Sequence, residues 1–400
     1  MQRIHVVGGG LAGLTAAITA AESGAPVTLH EAHDTLGGRA RTAEGPYLTN
    51  EGPHALYHGG PHRNWLQQRG LLGPLATVPP LEGTRFFFRR GGALRRTPPL
   101  ALLRLARRSA RRAPVGTDFL GWATGRVGED GARAAAHYMG VALFHHDPGS
   151  LSAAFVQERL RRAAALPPEA RYPVGGWGRL VDRMASRAWD IGVRIEPGAR
   201  VGPGDLAGLR SQGPVIVATH LDSARSLLDD PSLTWTGGRT ALLDLALRTR
   251  RGDPFVVSDL DAPGWIERFT AQDPTLAPAG EQLVQAQIPL APGAPRDEAV
   301  RRAEDMLDLG FPGWRDRTTW RREALASGRT GAVDPPGTTW RDRPAVDRGD
   351  GFLLAGDMVA APGLLSEVSF NSGIAAAVLA VRLLGTTGRP TATGLDLEST

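Results

Sequence analysis

The chain has 400 residues, 42% of them hydrophobic, a formal net charge of +5 and no cysteine. That length exceeds what a single hydrophobic core usually serves and points to two domains. The lack of cysteine excludes disulfides, zinc–thiolate and iron–sulfur sites, redox dithiols and a cysteinyl cofactor link. Lysine is absent as well, so all 46 basic residues are Arg, and with 51 Gly and 31 Pro the composition carries the mark of GC-rich coding.

Ile4 to Val7 is a short apolar run suited to a buried parallel strand, and it stops at Gly8. No charged, apolar and small-residue leader precedes it, and no apolar run approaches the roughly 18 residues that span a bilayer, so a cytoplasmic location is the expectation. Leu11, Leu14, Ala17, Ile18 and Ala21 then recur at helical spacing until Gly24, and Val27 to Leu29 forms a second strand ahead of Glu31.

Within this order of strand, turn, helix, strand and acid, Gly8, Gly10 and Gly13 satisfy G-x-G-x-x-G. Gly8 permits the tight turn, Gly10 lets backbone approach a pyrophosphate, and Gly13 lets the helix pack closely on the strand. Leu11 and Ala12 open a helix whose free amides and partial positive charge favour phosphate. Glu31, with Ala32 beside it, stands where an acid accepts hydrogen bonds from a ribose. A glycine turn serving packing alone is the competing reading; the complete context selects a dinucleotide site.

Further along come Gly37-Gly38-Arg39 and a Gly52-Pro53 turn followed by His54. Phe86 to Thr97 reads as a hairpin turning at Gly91-Gly92. Pro98 to Arg112 and Thr117 to Phe144 read as largely helical. Between Glu82 and Asp118 there is no acidic residue but ten arginines, from Arg85 to Arg112. Leu100 to Arg112 thus forms an amphipathic, cationic helix. Three readings of it stand: a solvated face in an Arg-biased chain, a surface for anionic membrane, or a dock for an acidic carrier protein. Nucleic acid is not expected, because neither stacking aromatics nor a reader motif accompanies the charge.

"LFHHDP" ends a helical segment with His145, His146 and Asp147. Adjacent histidines on a helix point apart, so no metal site is expected. Thr240 to Leu247 and Gln282 to Ile288 read as strands of a sheet flooring a cavity, and Asp297 to Leu309 as a helix. Phe352 to Ala355 is a strand running into Gly356-Asp357, and a helix is expected to begin near Ser369.

The opening stretch, continued through Glu31 to Gly37-Gly38-Arg39, resembles the flavoprotein family containing phytoene desaturases, protoporphyrinogen oxidases and monoamine oxidases. "RYPVGGWGRL" and "GFLLAGDMVAAPGLLSEVSFNSG" are similar to that family's middle and closing patterns, although Val368-Ser369 stands where the family usually shows Gly-Ala. The resemblance implies FAD as cofactor. Gly38 and Arg39 would lie beside its pyrophosphate and ribitol, with Arg39 neutralising phosphate. Gly52 and Pro53 would lie against the flavin, and the Val201 backbone would meet adenine. Gly356 and Asp357 would meet the flavin chain, and Val368 and Ser369 would face the pyrimidine end of the ring.

The expected fold class is α/β: a discontinuous Rossmann-type FAD-binding domain (1–80, 175–235 and 345–385) with an α+β substrate domain of mixed sheet plus helices (81–174 and 236–344), and a mobile tail at 386–400. "EGPHALY" and "YPVGGW" look like the phytoene-desaturase branch. That branch implies an FAD-dependent oxidoreductase passing hydride from an apolar isoprenoid- or polyene-like substrate to flavin N5. Desaturation also needs a base near the ring. His54 is the first candidate, with hydrogen bonding to backbone or ribitol as its alternative role; His145 and Glu367 are the others.

Amine oxidation in its usual form relies on a lysine-held water, and this chain has no lysine. Flavin-dependent isomerisation, double-bond reduction and protoporphyrinogen oxidation remain open. So does a flavin-free reading, because Rab GDP-dissociation inhibitors share the architecture, although the intact glycine and acid set argues against it. The redox reading requires Asp357 to lie near the Gly10 turn and an oily chamber to open beside it.

Overall fold

The structure, a computed structural model, describes residues 2–52, 55–57, 59–107, 111–165 and 168–385. Pro53, His54 and the 386–400 tail, for which expectations were formed, lie outside the described residues.

Short, fully buried apolar runs build a five-stranded sheet from β1 (Ile4–Val7), β2 (Val27–His30), β8 (Arg194–Glu196), β9 (Val215–Val217) and β15 (Phe352–Leu354). Its order is β15-β9-β1-β2-β8. Every pairing is parallel, as expected where both faces are covered. Three distant stretches of chain therefore meet in one sheet. The Leu11–Glu22 helix packs against the closing helix, Ser366–Leu383, at close range: a Cβ on Gly373 would lie 2.5 Å from the Ala12 carbonyl oxygen. Glycine there lets the two backbones touch.

A larger mixed sheet contains β5 (Phe86–Arg90), β6 (Ala93–Arg95), β10 (Gly237–Arg248), β11 (Val256–Asp259), β12 (Gly264–Arg268), β13 (Glu281–Pro289) and β14 (Thr318–Ala332). The order is β14-β10-β13-β12-β11-β5-β6. The β5–β11 pair is parallel and the others are antiparallel. Because strand side chains alternate, Leu243, Leu245, Ile266 and Val284 cluster with Met306 and Leu307 of the Arg296–Gly310 helix on one face. The opposite face carries Glu267, Gln285, Asp244 and Arg322 in one register row. A third sheet joins β3 (Leu56–Tyr57), β7 (Ala170–Pro173) and β4 (Leu75–Ala76) in the order β3-β7-β4.

Several expected boundaries move. The cationic helix spans only Leu100–Ala106, and Arg107 is extended at ψ 139. The expected helix from Thr117 to Phe144 is two helices, Phe119–Val127 and Glu129–Leu143, broken at Gly128 with φ 75. The closing helix begins at Ser366, three residues before the position expected, so Val368 and Ser369 fall in its first turn. Among the described residues no helix is long and apolar enough to cross a membrane.

Candidate active site

The site begins where β1 ends. Gly8 adopts φ 108, and a Cβ there would meet the Ala218 carbonyl oxygen at 2.6 Å. A Cβ on Gly13 would sit 1.8 Å from the Gly8 carbonyl oxygen, so this helix can leave the strand so tightly only with glycine at that position. Gly10 differs, since its Cβ would meet only the Gly37 carbonyl oxygen, at 3.9 Å. The turn therefore presents bare backbone at the head of the helix that Leu11 and Ala12 open, the arrangement suited to an anion.

Gly37 donates from its amide to the Gly9 carbonyl at 2.8 Å and forms a parallel bridge with Gly10, which brings the second glycine turn against the first. Gly38, at φ 54, stacks on Gly10: its Cβ would be 3.6 Å from the Gly10 Cα.

Glu31 is buried at the end of β2, just before the half-buried Ala32. Its Oε2 accepts from the Gly9 amide at 2.7 Å, and its Oε1 accepts from the His33 amide at 2.9 Å. The His33 ring lies 2.7 Å from the same Oε1. Burial alone would raise the Glu31 pKa, but these hydrogen bonds outweigh it and hold the carboxyl below the usual range. Val201 is partly buried beyond the loop whose Gly198 amide donates to the His33 carbonyl at 3.0 Å, so it belongs to the Glu31 end of the site.

At the other end, the Arg39 guanidinium donates to Asp357 Oδ2 at 2.7 Å across 318 residues of sequence. Burial would raise the Asp357 pKa, but Arg39 beside it holds the carboxyl below its ordinary value. Gly356 is fastened from the closing helix: its amide donates to Ser372 Oγ at 2.9 Å. The first requirement of the redox reading is thus met, with Asp357 tied through Arg39 to the glycine turns.

The second requirement is not met here. A crevice of about 10 Å³, room for about one water, runs from Asp357 past Leu143, Phe155, Gly331, Leu365 and Val368. That is far below ordinary ligand pockets, roughly 300 to 1,000 Å³, because apolar side chains fill the space beside Asp357. A wider hollow of about 530 Å³, lined in part by Asp230, Trp235, Asp347 and Arg348, includes none of the predicted site residues.

Leu365, on the crevice wall, holds φ 54, a strained conformation for a branched side chain. The Val368 amide donates to the Leu365 carbonyl at 3.1 Å, so it closes the turn instead of pointing into the crevice. Ser369 is buried, and its carbonyl lies 3.2 Å from Ser372 Oγ. Gly52 is half-buried.

Glu367 is 1% exposed and ion-paired in two places to Arg162, whose Nη1 and Nη2 each approach at 2.7 Å. It also accepts from the Leu364 amide at 2.9 Å. With its oxygens so engaged, Glu367 acts as an anchor for the closing helix. His145 and His146 follow the Glu129–Leu143 helix rather than lying on it, so their rings come together at 4.7 Å instead of pointing apart. Burial and His146 lower the His145 pKa, and the Asp147 amide donates to its Nδ1 at 3.2 Å. His145 is absent from the crevice lining.

Sequence reasoning missed the polar groups behind the crevice. Arg159 and Arg343 line it, Arg343 paired with Asp334 by two bonds of 2.9 Å. A signal existed for Arg159, which follows Phe155 and Val156 at helical spacing and so sits on the buried stripe of its helix. Also unforeseen was the polar inner face of the mixed sheet. Glu267 accepts from Tyr172 Oη at 2.8 Å, Gln272 at 2.6 Å and Trp265 at 2.9 Å, and burial raises its pKa. Tyr138, beside Trp265, is pushed up to about 12 by burial. An aromatic corner of Phe86, Phe88, Tyr138 and Trp265 adjoins this row.

The residues present fit a dinucleotide: bare backbone at Gly10, an ionised ribose-side acid at Glu31, and a fixed Arg39–Asp357 pair between the glycine turns and the crevice.

Comparison with known proteins agrees with this geometry. The NAD(P)-binding Rossmann-like domain family matches residues 6–68. The carotenoid phi-ring synthase of Streptomyces griseus is 28% identical over 477 residues, covering 96% of this chain and 89% of that protein. In structure, an oxidoreductase from Methanosarcina mazei superposes with a TM-score of 0.73 at 17% identity, covering 94% of this chain and 100% of that one. Cyclohexylamine oxidase from Brevibacterium oxydans superposes with a TM-score of 0.70 at 15% identity, covering 96% and 99%. At such identities these two likenesses carry the fold alone.

Proposed function

We propose that this chain is an FAD-dependent oxidoreductase that binds FAD and oxidises a CH–CH bond of an apolar, isoprenoid- or polyene-like molecule. The observation that carries this reading is the Arg39–Asp357 pair, which joins residues from opposite ends of the chain beside the bare Gly10 turn. The carotenoid phi-ring synthase likeness, spanning nearly the whole chain, supports the substrate class.

The chain's part is to bind and orient. Gly10 and the helix behind it take the pyrophosphate, Glu31 accepts from the adenosine ribose, and Asp357 accepts from the flavin chain. When bound, FAD supplies the acceptor for the electron pair and hydrogen leaving one carbon. The proton leaving the neighbouring carbon needs a side-chain acceptor, and His54, two residues past Gly52, stands first for that part.

The test is anaerobic bleaching of the flavin-loaded protein by a panel of polyenes, porphyrinogens and amines. Bleaching by polyenes supports the reading; bleaching by amines alone ends it.

Of the three readings of the cationic helix, a solvated face, an anionic membrane and an acidic carrier protein, its exposed leucines favour the membrane. Leu100 and Leu103 are 67% and 46% exposed and share a helical face with Arg104, a combination suited to an anionic lipid surface. The protein is expected to co-sediment with phosphatidylserine vesicles but not with neutral ones, and the double variant Leu100→Asp, Leu103→Asp to lose that binding. Equal binding by parent and variant removes the membrane role.

A further inference from the structure

The polar face of the mixed sheet ends in a carboxylate with no cation beside it. Its row begins at Arg322, whose Nη2 donates to the Asn50 carbonyl at 3.0 Å, while the Asn50 side chain accepts from Thr42 Oγ1 at 2.8 Å. Thr42 follows Arg39 by three residues. From Arg322 the row crosses Asp244 and Gln285 to Glu267, three strand spacings or about 14 Å away. Glu31 and Val201 take the adenine side of the glycine turns, which leaves the Asn50 side for the reacting half of a dinucleotide.

Glu267 is 5% exposed and forms no ion pair among the described residues, whereas Asp244 in the same row is matched by Arg322 at 2.7 Å. Neutral groups hold it instead. Tyr172 Oη and Gln272 Nε2 donate to Oε1, and Trp265 Nε1 donates to Oε2. Of the roughly four acceptor positions of a carboxylate, one on Oε2 therefore stays vacant. The titratable groups facing Glu267 are Tyr172 from β7 and Tyr138 from the Glu129–Leu143 helix, both pushed above their ordinary range by burial and so uncharged. Its register neighbours, Gln285 and Val256, are neutral as well. Burial raises the Glu267 pKa too, and the three hydrogen bonds offset only part of that.

Trp265 is also the corner of an aromatic cup, with ring centroids 5.4 Å from Phe86 and 6.1 Å from Tyr138. Phe86, Tyr138, Tyr172 and Trp265 are all half-buried, so the cup stays open where the crevice beside Asp357 is filled. Such rings suit an apolar chain end, and their faces favour the positive charge that gathers on carbon as hydride departs. A desolvated carboxylate at the edge of the cup is placed as a base.

Resting on the desaturation reading above, we propose that the aromatic cup seats the reacting end of the polyene and that Glu267 Oε2 takes the proton. As one carbon gives up a hydrogen with its electron pair to the acceptor that FAD supplies, the C–H bond of the neighbouring carbon breaks. Its proton forms an O–H bond at Oε2, and the electrons left behind close the C=C bond. Tyr172 and Gln272 position the carboxylate. Glu267 thus takes the part for which His54 was the sequence candidate.

Lycopene is the probe, added anaerobically to the flavin-loaded protein. The parent's bleaching rate should rise with pH as Glu267 loses its proton. Glu267→Gln should lower that rate by roughly a hundredfold or more and flatten the profile, while lycopene still quenches tryptophan fluorescence as in the parent. Tyr172→Phe removes one hydrogen bond from the charged form, so its profile should keep its shape and move to higher pH. Infrared difference spectra across about pH 5 to 8 should show, in the parent, a carboxylic C=O band that Glu267→Gln lacks.

Bleaching of Glu267→Gln within threefold of the parent, with the parent's pH profile, overturns the proposal. So does absence of the Glu267 band at the acid end of that window, which would make it an ordinary ionised carboxylate. A parent whose flavin lycopene leaves oxidised, although the band titrates as expected, ends the desaturation reading instead, and the two failures are distinct.

Discussion

At the head of the Leu11–Glu22 helix the polar groups on offer are main-chain amides laid open by glycines that fall within a few residues of one another. Along the crevice they are guanidiniums, held in place by Asp334, Phe155 and a carbonyl at Gly363, from segments far apart in the chain. The first kind of site tolerates almost no change in covalent shape but carries little buried charge. The second tolerates changes of shape but not of charge balance. The backbone turn and the buried ion pairs should therefore fail in different ways.

The largest effect is expected on the charged side. Arg162→Met leaves Glu367 buried without its cation, at a cost of about 3–5 kcal/mol. Urea denaturation would show it as a lowered midpoint, and Glu367→Gln should suffer less. If both variants unfold at the parent's midpoint, the pair is not what holds the closing helix. Next comes Gly13→Ala, whose methyl would press on the Gly8 carbonyl; about 3 kcal/mol of destabilisation and loss of flavin should appear together. Destabilisation without flavin loss would separate helix packing from the cradle.

A pH-dependent loss should follow from the sheet beneath the cradle. Burial, His30 and Arg3 bring the His5 pKa down from 6.5 to about 4. The unfolded chain then takes up a proton that the folded one refuses, so stability is complete above pH 6.5 and falls as pH drops toward 4. Melting temperature measured across that window should decline, and His5→Leu should flatten the decline; parallel slopes would remove His5 as its source.

The smallest effect on stability is the sharpest test of the contrast. Gly10→Ala meets nothing closer than 3.9 Å, so the apoprotein should change by less than about 0.5 kcal/mol. Flavin affinity should nevertheless fall at least tenfold, read by equilibrium dialysis. Unchanged affinity would mean that the phosphates do not lie on this turn.

The same contrast explains what could be read from the residues alone. Gly8, Gly10 and Gly13 announce a turn because a backbone conformation and a close approach restrict those positions to one residue type, and the acid after β2 follows at a fixed distance. β10, β13 and the Arg296–Gly310 helix were legible because long periodic runs average out local exceptions. The two-residue strands β3 and β4 gave no period to detect. The cationic helix was drawn too long, since Arg continues an amphipathic pattern on paper while the chain turns extended at Arg107. Arg343 and Asp334 are close in sequence, but nothing in their spacing says that a crevice lies beside them. Partnerships such as Arg39 with Asp357 exist only once the chain has folded, and a resemblance, not a spacing, was needed to bring the two ends together.

The three-piece parallel sheet sets an order of assembly. β1 comes first in the chain among its five strands yet lies at the centre of that sheet, and the strand closing its outer edge, β15, comes last of the five. Until residue 352 leaves the ribosome, β9 presents an unpaired edge, and the Leu11–Glu22 helix lacks the helix that covers it. Any truncation ahead of β15 should therefore yield aggregate instead of a smaller working domain.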